Sequence, residues 1–147
     1  MIPGEVKVLR GLPGSGKSYG AAKLAAADYL ICSADDFHME DGVYRFKPEN
    51  ISKAHGGCLL RFVDLLLTGA QKIVVDNTNT TVWEMAPYCA LALAYDYALS
   101  VYTVDCSIER ALSRNVHNVP EATIRKMAEN MEIHTPLIPK HWNHTVL

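Results

Sequence analysis

The segment RGLPGSGKS, residues 10–18, carries the residue types that hold a phosphate group. It contains the full pattern Gly-x-x-x-x-Gly-Lys-Ser, in which backbone N–H groups cradle phosphate oxygens and the serine hydroxyl binds Mg²⁺. The pattern predicts a site for ATP and Mg²⁺ formed by Gly14, Ser15, Gly16, Lys17, Ser18 and Tyr19. Within it, Lys17 is expected to reach the outer phosphates as a catalytic residue, and Ser18 to contact the metal.

The residues on either side of this loop have the pattern that a phosphate site requires. Residues 6–9 form a short apolar run typical of a strand, and residues 18–27 are rich in small helix-forming side chains. A strand, a glycine loop and a helix in this order direct the positive end of the helix at the ligand. The context therefore favours a phosphate site over a glycine turn without a ligand.

Acidic residues follow two further predicted strands. Residues 29–35 indicate a strand that ends in acids, with Asp36 next in the chain, and residues 72–76 form an apolar run that ends at Asp76. Because ligands of an open parallel sheet bind beyond the carboxyl ends of its strands, we expect these acids to lie near the phosphate loop. Either Asp35 or Asp36 could accept the proton of an attacking hydroxyl, and Asp76 could hold Mg²⁺ or position a partner group.

The residue after Asp76 separates two classes of phosphate-loop protein. Many ATPase motors have a glutamate at this position that activates water, whereas this chain has Asn77. The chain also has no Asn-Lys-x-Asp sequence of the kind that GTPases use to select guanine. A kinase needs a hydroxyl acceptor and a positioned carboxylate instead. The sequence therefore favours phosphoryl transfer to an alcohol over hydrolysis.

Arginines on the predicted helix of residues 107–115 could stabilise the charge on a transferred phosphoryl group. Arg110 and Arg114 are four residues apart and share one helix face. Small kinases carry their lid after the fourth strand, here predicted at residues 98–105. This position favours Arg114 as a catalytic lid residue.

Residues 36–50 are predicted to form an irregular excursion with a small hairpin, because Asp41-Gly42 and Pro48 are turn signals. Aromatic and basic side chains alternate in residues 44–47, a composition typical of a stacking platform for a base or a single strand. A protonated histidine in this region could bind an acceptor phosphate. The residues expected to contact the acceptor are Asp36, His38, Arg45 and His55.

Strands and helices alternate along the chain of 147 residues, which predicts one kinase domain over residues 1–147. The expected fold class is α/β, a three-layer P-loop kinase sandwich with a mainly parallel central sheet, right-handed crossovers and a short helical lid. Further elements are predicted as helices over residues 51–68, 81–95 and 120–133 and a final short strand within residues 135–147.

Composition limits the partners and the compartment. The net charge of −2 argues against a surface that coats long stretches of nucleic acid, although it allows a local basic groove. The four cysteines are widely separated and form no Cys-x-x-Cys pair, so we expect reduced core thiols. No apolar run approaches the length of about 20 residues that spans a membrane, and no signal peptide precedes the phosphate loop. We expect a cytoplasmic protein with no membrane partner.

The combination of RGLPGSGKS, SADDF, VVDNTN and RNVHNVPEATIRKM resembles the polynucleotide-kinase-like P-loop kinases over about residues 6–132. That family includes phage 5'-hydroxyl polynucleotide kinases, animal Nedd-binding-protein-like kinases and phage kinases that phosphorylate hydroxymethyluracil bases in DNA. The resemblance implies that Lys17 and Ser18 handle phosphate and metal. It also implies that Asp35 is the general base, that Asp76 lies in the active site and that Arg114 belongs to the lid.

Two departures from the family pattern concern the acceptor. His38 stands where the phage end-healing kinases have an arginine that contacts the acceptor phosphate. The lid here is also shorter, because the chain passes through Val116, His117 and Asn118 directly to Val119-Pro120. We expect a nucleic-acid acceptor, DNA in preference, with a hydroxymethyl group on a base slightly favoured over a 5'-hydroxyl end. The alternatives are a nucleoside or small-metabolite kinase and a nucleotide-binding regulatory module with little turnover.

Overall fold

The computed structural model describes residues 4–115 and 117–147. The strands are β1 (Glu5–Arg10), β2 (Leu30–Cys32), β3 (Met39–Glu40), β4 (Val43–Tyr44), β5 (Lys72–Asp76), β6 (Ala98–Thr103) and β7 (His144–Val146). The helices are α1 (Lys17–Ala26), α2 (Ile51–Leu67), α3 (Val82–Ala94), α4 (Ile108–Ser113) and α5 (Glu121–His134). Among the described residues, no helix is both long enough and apolar enough to cross a membrane.

Five parallel strands form the central sheet in the order β2-β5-β1-β6-β7. The middle strand, β1, pairs with β5 on one side and with β6 on the other. Val8 of β1 belongs to the core beneath α2 and α3, and Leu9 belongs to the core beneath α1. Helices therefore cover both faces of the sheet, which confirms the predicted three-layer α/β sandwich. The phosphate loop leaves the sheet from its central strand.

The larger core lies between the sheet and the helices α2 and α3. Phe62 of α2 and Tyr88 of α3 meet edge to face, with ring centroids 5.1 Å apart. Cys32, Cys58 and Cys89 are buried free thiols, and Cys106 is a half-buried free thiol, in agreement with the prediction of reduced cysteines. Burial raises the pKa of Cys32 and Cys89 to about 12, so both behave as apolar side chains at neutral pH.

The second strand is shorter than the sequence predicts. It ends at Cys32, and residues Ala34–His38 form a 3₁₀ turn instead of a continuation of the strand. Ser33 causes this change, because its hydroxyl accepts a hydrogen bond from the backbone N–H of Asp35 at 3.2 Å. The two acids therefore lie on a turn just beyond the sheet edge.

The start of α3 at Val82 agrees with the predicted start. The spacing Thr81-x-x-Glu84 is that of a capping box, but the reciprocal hydrogen bonds of that motif do not form among the described residues. The Thr81 hydroxyl donates to the Glu84 carboxylate at 2.8 Å, and no side-chain cap reaches the backbone from Thr81. The Val82 N–H instead donates to Nδ1 of His134, at the end of α5, at 3.1 Å. A distant helix thus satisfies a donor that local sequence was expected to satisfy.

The predicted hairpin is present as the antiparallel pair β3 and β4. Its turn consists of Asp41 and Gly42, both with positive φ angles, 51° and 79°. Two residues of this conformation match the twist of the flanking strands. The hairpin therefore projects its aromatic residues from a defined position above the sheet edge.

The last residue of β1, Arg10, is a fully buried arginine. Its guanidinium donates to the backbone carbonyls of Asn79 and Thr80 at 3.0 and 3.1 Å, and to the hydroxyls of Thr103 and Thr135 at 3.1 and 2.8 Å. Among the described residues, no carboxylate lies within salt-bridge distance of it. Burial lowers the pKa of Arg10 to about 10, so the group stays charged at neutral pH. One cation thereby joins β1, β6, the loop after β5 and the end of α5.

We predict that Arg10→Met lowers the free energy of unfolding by about 2–4 kcal/mol, because it leaves buried carbonyl and hydroxyl acceptors without a donor. Urea denaturation followed by circular dichroism measures the change. Arg125→Ala is the matched control, since Arg125 is exposed and, among the described residues, pairs only with Glu121 of the same helix. Its effect should stay within about 0.5 kcal/mol. Equal effects from the two variants would refute the anchoring role of Arg10.

The C-terminal strand carries a second titratable group next to this arginine. The Nε2 atom of His144 lies 2.6 Å from the Thr103 hydroxyl that also accepts from Arg10. Burial, followed by the positive charge of Arg10, lowers the pKa of His144. The folded chain therefore resists protonation of His144 more strongly than the unfolded chain does.

This shift predicts the direction of a pH effect. Stability contributed by neutral His144 is present above the unfolded histidine pKa of about 6.5 and is lost as the pH falls below it. Between about pH 7.5 and about pH 5.5 the midpoint of urea denaturation should fall, and the fall should be smaller in His144→Gln. His141→Gln, at an exposed position in the same tail, should retain the full fall. An undiminished fall in His144→Gln would contradict the assignment.

Candidate active site

A cavity of about 690 Å³ opens at the carboxyl edge of the sheet. The phosphate loop, the turn after β2, the hairpin, the start of α2, the end of β5 and the segment after α4 all contribute to its wall. It brings together most of the residues that the sequence singles out, namely Gly14, Gly16, Lys17, Ser18, Tyr19, Asp35, His38, His55, Asp76 and Arg114. The remaining three, Ser15, Asp36 and Arg45, lie outside this lining.

The phosphate loop has the backbone conformation of an anion cradle. Gly14 and Gly16 have φ angles of 82° and 97°, a region that side-chain-bearing residues rarely adopt. The loop is closed by a hydrogen bond from the Ser15 N–H to the Leu12 carbonyl at 3.0 Å. Gly16 is the N-cap of α1, and the first turn of that helix contains no acidic residue. The positive end of α1 therefore lies at the cavity without a competing carboxylate.

The Ser15 hydroxyl packs against the first glycine of the loop, so any contact of Ser15 with a nucleotide stays a prediction that concerns its backbone. It lies beneath the loop, where a Cβ atom added to Gly11 would approach within 2.7 Å of it. It is buried and has no hydrogen-bond partner among the described residues. The close packing of Gly11 against this hydroxyl explains why the loop begins with a glycine.

Lys17 and Asp76 form a buried ion pair at the base of the cavity. The Lys17 Nζ atom lies 2.8 Å from Asp76 Oδ1, and both residues are buried. Removing one partner of such a pair would leave an uncompensated buried charge, which proteins tolerate poorly. Each residue therefore neutralises the other in the structure described here.

The donor set fits a magnesium nucleotide. The Ser18 hydroxyl and the Asp76 carboxylate are hard oxygen donors on the cavity wall, the kind of ligand that Mg²⁺ prefers. Among residues 4–115 and 117–147, no cluster of three or more histidine, cysteine or acidic side chains could hold a metal. A magnesium ion here would consequently depend on phosphate oxygens for part of its coordination, as in other phosphate-loop sites.

The turn after β2 separates the roles of the two adjacent acids. Asp35 lines the cavity, and Tyr44 of the hairpin points its hydroxyl at Asp35 Oδ1 from 3.5 Å, a long contact. Asp36 lies outside the cavity lining, where burial raises its pKa despite the nearby positive charge of Arg61. The pattern of residues alone left both acids open as the base, and the family resemblance implied Asp35; of the two, Asp35 is the one that lines the cavity.

Alternation along the hairpin explains why Arg45 does not reach the cavity. The extended backbone continues past the end of β4 at Tyr44, because the Arg45 N–H donates to the His38 carbonyl at 2.8 Å. Successive side chains of an extended chain point to opposite faces, and accordingly Tyr44 and Phe46 line the cavity whereas Arg45 does not. Arg45 and Lys47 lie near the Glu40 carboxylate, at 3.9 and 3.1 Å. The aromatic and basic side chains that were expected to form one platform are therefore separated. The aromatic ones line the cavity, and the basic ones do not.

The lid side of the cavity is formed by the end of α4 and the residues after it. Arg114, at the C-cap of α4, lines the cavity, whereas Arg110 does not. The His117 ring packs against the Tyr44 ring at an interplanar angle of 35°, with a centroid separation of 4.1 Å. This contact joins the lid segment to the hairpin above the cavity. The predicted lid also includes Val116, which lies outside the described residues.

The contacts of two residues in the site were not predicted from the sequence. Asn77 accepts the Ala34 N–H at 2.8 Å and so fixes the turn that carries Asp35. Tyr44 contacts both that acid and His117. Asn77 could have been singled out from the sequence, because it directly follows the acid that ends a strand. The contact of Tyr44 with His117 could not, because the two residues are far apart in the sequence.

Comparisons with known proteins identify the family of this chain. A family model described as an AAA domain, AAA_33, matches residues 6–134. Human NEDD4-binding protein 2 is 32% identical over 139 residues, which cover 89% of this chain. The chain belongs to the polynucleotide-kinase-like P-loop kinases. It spans only 8% of the length of the human relative.

Solved structures share the fold of this polynucleotide-kinase-like chain. A chain from the Pnkp1/Rnl/Hen1 RNA repair complex superposes with a TM-score of 0.73 at 20% identity, covering 95% of this chain and 47% of that one. A gluconokinase from Sinorhizobium meliloti 1021 superposes with a TM-score of 0.60 at 22% identity, covering 98% of this chain and 82% of that one. Both likenesses show the α/β kinase fold.

The contact between the phosphate loop and the lid helix predicts the effect of a substitution. A Cβ atom at Gly14 would lie 2.5 Å from the Ala111 carbonyl oxygen and 3.2 Å from Arg114 Cβ. Gly14→Ala should weaken ATP·Mg²⁺ binding about tenfold or more, because it adds this clash to a strained φ angle. Isothermal titration calorimetry measures the dissociation constant.

Gly20→Ala is the matched control within the adjoining helix. A Cβ atom at Gly20 would meet nothing within 4 Å, and alanine favours the helix by roughly 0.5–1 kcal/mol. This variant should bind ATP·Mg²⁺ normally and unfold at a slightly higher temperature. Normal nucleotide binding by Gly14→Ala would show that the loop does not need its observed conformation.

Proposed function

We propose that this protein is an ATP- and Mg²⁺-dependent kinase that transfers the γ-phosphate to a hydroxyl on nucleic acid, with DNA favoured. The acceptor is the hydroxymethyl group of a modified base such as 5-hydroxymethyluracil, or a 5'-hydroxyl end. The observation that carries the proposal is one cavity that contains both a phosphate loop and the carboxylate of Asp35. A phosphate donor and a hydroxyl acceptor can thus meet in a single site.

The phosphate loop and two cationic side chains, Lys17 and Arg114, act on the nucleotide. Bound Mg²⁺ would neutralise charge on the outer phosphates. Lys17 moves from Asp76 to the phosphates, because a polyphosphate carries more charge than one carboxylate. Asp76 and Ser18 are then free to act as oxygen ligands for the metal. Arg114 stabilises charge on the transferred group from the lid side.

The acceptor half of the reaction needs a base and an in-line approach. Asp35 accepts the proton of the acceptor hydroxyl as its oxygen attacks the γ-phosphorus. A bond forms between that oxygen and phosphorus, and the bond from phosphorus to the bridging oxygen of ADP breaks. ADP leaves with the electron pair of that bond. The contact from Tyr44 helps to orient the Asp35 carboxylate.

A nucleic-acid acceptor is supported by three separate observations. The family is that of polynucleotide-kinase-like enzymes, and one structural neighbour belongs to a complex named for RNA repair. The inner hairpin side chains, Tyr44 and Phe46, present aromatic surface to the cavity, on which a base can stack. An interior base would have to be flipped out of a duplex, which costs a few kcal/mol.

A small-metabolite kinase is the second candidate, and one comparison favours it. The gluconokinase matches nearly the whole chain and is itself matched over 82% of its length. The modest net charge of −2 suits such an acceptor as well. A nucleotide-binding module with little turnover would use the phosphate loop but would have no need of Asp35.

Labelled ATP separates these candidates. Protein, Mg²⁺ and γ-labelled ATP are incubated with 5'-hydroxyl oligonucleotides of DNA and RNA, DNA containing hydroxymethyl pyrimidines, free nucleosides, gluconate, or no acceptor. Label on an oligonucleotide supports the proposal, and nuclease digestion then shows whether it lies on an end or a base. Label only on a nucleoside or gluconate supports the second candidate. Absence of acceptor-dependent labelling in every arm would refute a kinase acting on these classes.

The adjacent acids provide a matched test of the base. Asp35→Asn should lower the rate of phosphoryl transfer by about 100-fold to 10,000-fold, because the hydroxyl loses its proton acceptor. ATP binding, measured by calorimetry, should be unchanged. Asp36→Asn changes the same group one residue away, outside the cavity lining, and should retain most of the activity. Equal losses in both variants, or none in Asp35→Asn, would overturn the assignment.

A further inference from the structure

The side chain of Tyr44 contacts both the lid segment and the acid assigned as the base. Its hydroxyl points at Asp35 Oδ1 from 3.5 Å, and its ring packs against the His117 ring with a centroid separation of 4.1 Å. The two contacts use different parts of one side chain, so both are made at once. Tyr44 therefore connects a lid residue to Asp35 across the cavity.

The Tyr44 hydroxyl is a hydrogen-bond donor to Asp35 at neutral pH. Burial, followed by the negative charge of Asp35, raises the pKa of Tyr44 to about 12, so the hydroxyl keeps its proton. Its contact with Oδ1 leaves Oδ2 as the oxygen that can accept a proton from the acceptor. Catalytic hydrogen bonds that are long before substrates bind often tighten in the complex.

The hairpin that carries Tyr44 is too small to fix this side chain by itself. Its strands β3 and β4 have two residues each, and isolated two-stranded hairpins are marginally stable in water. The direction of a tyrosine hydroxyl depends on two side-chain torsions, and therefore on what packs against the ring. The His38 ring meets the Tyr44 ring edge-on at 6.0 Å, and the His117 ring approaches it more closely, from the lid.

The lid segment is held in place by contacts that do not involve His117. The Asn115 side-chain carbonyl accepts the Val119 N–H at 3.0 Å, and the Asn115 amide donates to the Val119 carbonyl. Ala111 of α4 and Leu12 of the phosphate loop belong to one buried apolar cluster. The lid is thus a defined support against which the Tyr44 ring can rest.

We propose that His117 is a positioning residue, which packs on Tyr44 and so holds the tyrosine hydroxyl on Asp35 Oδ1 while Oδ2 faces the acceptor hydroxyl. This inference rests on the proposed kinase function. The proton still passes from the acceptor hydroxyl to Asp35, and His117 exchanges none. The role requires a flat ring at position 117 and no ionisable group. The lid then serves the acceptor as well as the nucleotide.

Four variants separate this role from a general contribution to the lid. His117→Ala removes the ring, His117→Phe keeps a ring without a titratable group, and Tyr44→Phe keeps the ring contact but removes the hydroxyl. The fourth variant combines Tyr44→Phe with His117→Ala. The acceptor is the one labelled most strongly in the panel above. We would measure kcat with ATP and acceptor saturating, the KM for ATP, and thermal unfolding.

We expect His117→Ala to lower kcat about 10-fold, because it allows the base to leave its aligned position. The KM for ATP should stay within about twofold of the wild type, since the phosphate loop and α4 keep their contacts. His117 is exposed, so the unfolding temperature should hardly change. His117→Phe should retain most of the wild-type kcat. His141→Ala, at an exposed position in the C-terminal tail, should behave as the wild type.

The double variant tests whether His117 acts through Tyr44. Tyr44→Phe should itself lower kcat about 10-fold, and adding His117→Ala should cause little further loss, because the hydroxyl that the ring positions is already absent. Independent action of the two residues would instead multiply the two losses to about 100-fold. That multiplication would overturn the connection through Tyr44.

Other contrary outcomes show which conclusion fails. An unchanged kcat in His117→Ala, or a raised KM for ATP with kcat unchanged, would overturn the positioning role and leave the kinase intact. A loss in His117→Phe as large as that in His117→Ala would show that the ring contact is not what matters. If the wild-type protein labels no acceptor at all, the proposed function fails, and this inference fails with it.

Discussion

The buried guanidinium of Arg10 fixes the phosphate end of the cavity. It lies one residue before the phosphate loop, and it holds the carbonyls of Asn79 and Thr80 in the loop that follows the neighbouring strand. Its four acceptors are neutral oxygens, so the group is held by several hydrogen bonds and, among the described residues, by no ion pair. The Asn79 side chain returns a hydrogen bond to the Leu9 carbonyl at 2.8 Å. The two loops at this edge of the sheet therefore form one rigid unit.

The acceptor end is attached to that unit through two consecutive residues of the chain. Asp76 pairs with Lys17 on the phosphate side, and Asn77 accepts the Ala34 N–H on the acceptor side. The end of β5 thus sets the separation between the phosphate loop and the turn that carries Asp35. Phosphoryl transfer is sensitive to small changes in such separations, because the donor and the acceptor must approach in line.

Local patterns in the sequence predicted the elements, and distant contacts decided which side chains meet. The phosphate loop and the strand 72–76 were predicted correctly because glycine spacing and apolar runs act within a few residues. The orientation of Arg45 away from the cavity depends on the register of a two-residue strand, and the Arg10 contacts connect positions up to 125 residues apart. Neither of these features has a local signature that could be read in one sequence. The same limit applies to the His134 contact that begins α3.

The pairing of Lys17 with Asp76 has a consequence for nucleotide affinity. Asp76 acts as an internal competitor for the same ammonium group that a phosphate would occupy. The affinity of the protein for a nucleotide therefore reflects the difference between two electrostatic attractions of Lys17, one to the phosphate and one to Asp76. Added salt screens exposed charges more than buried ones. It would therefore weaken the attraction of a phosphate in solution to Lys17, while the buried ion pair between Lys17 and Asp76 would remain.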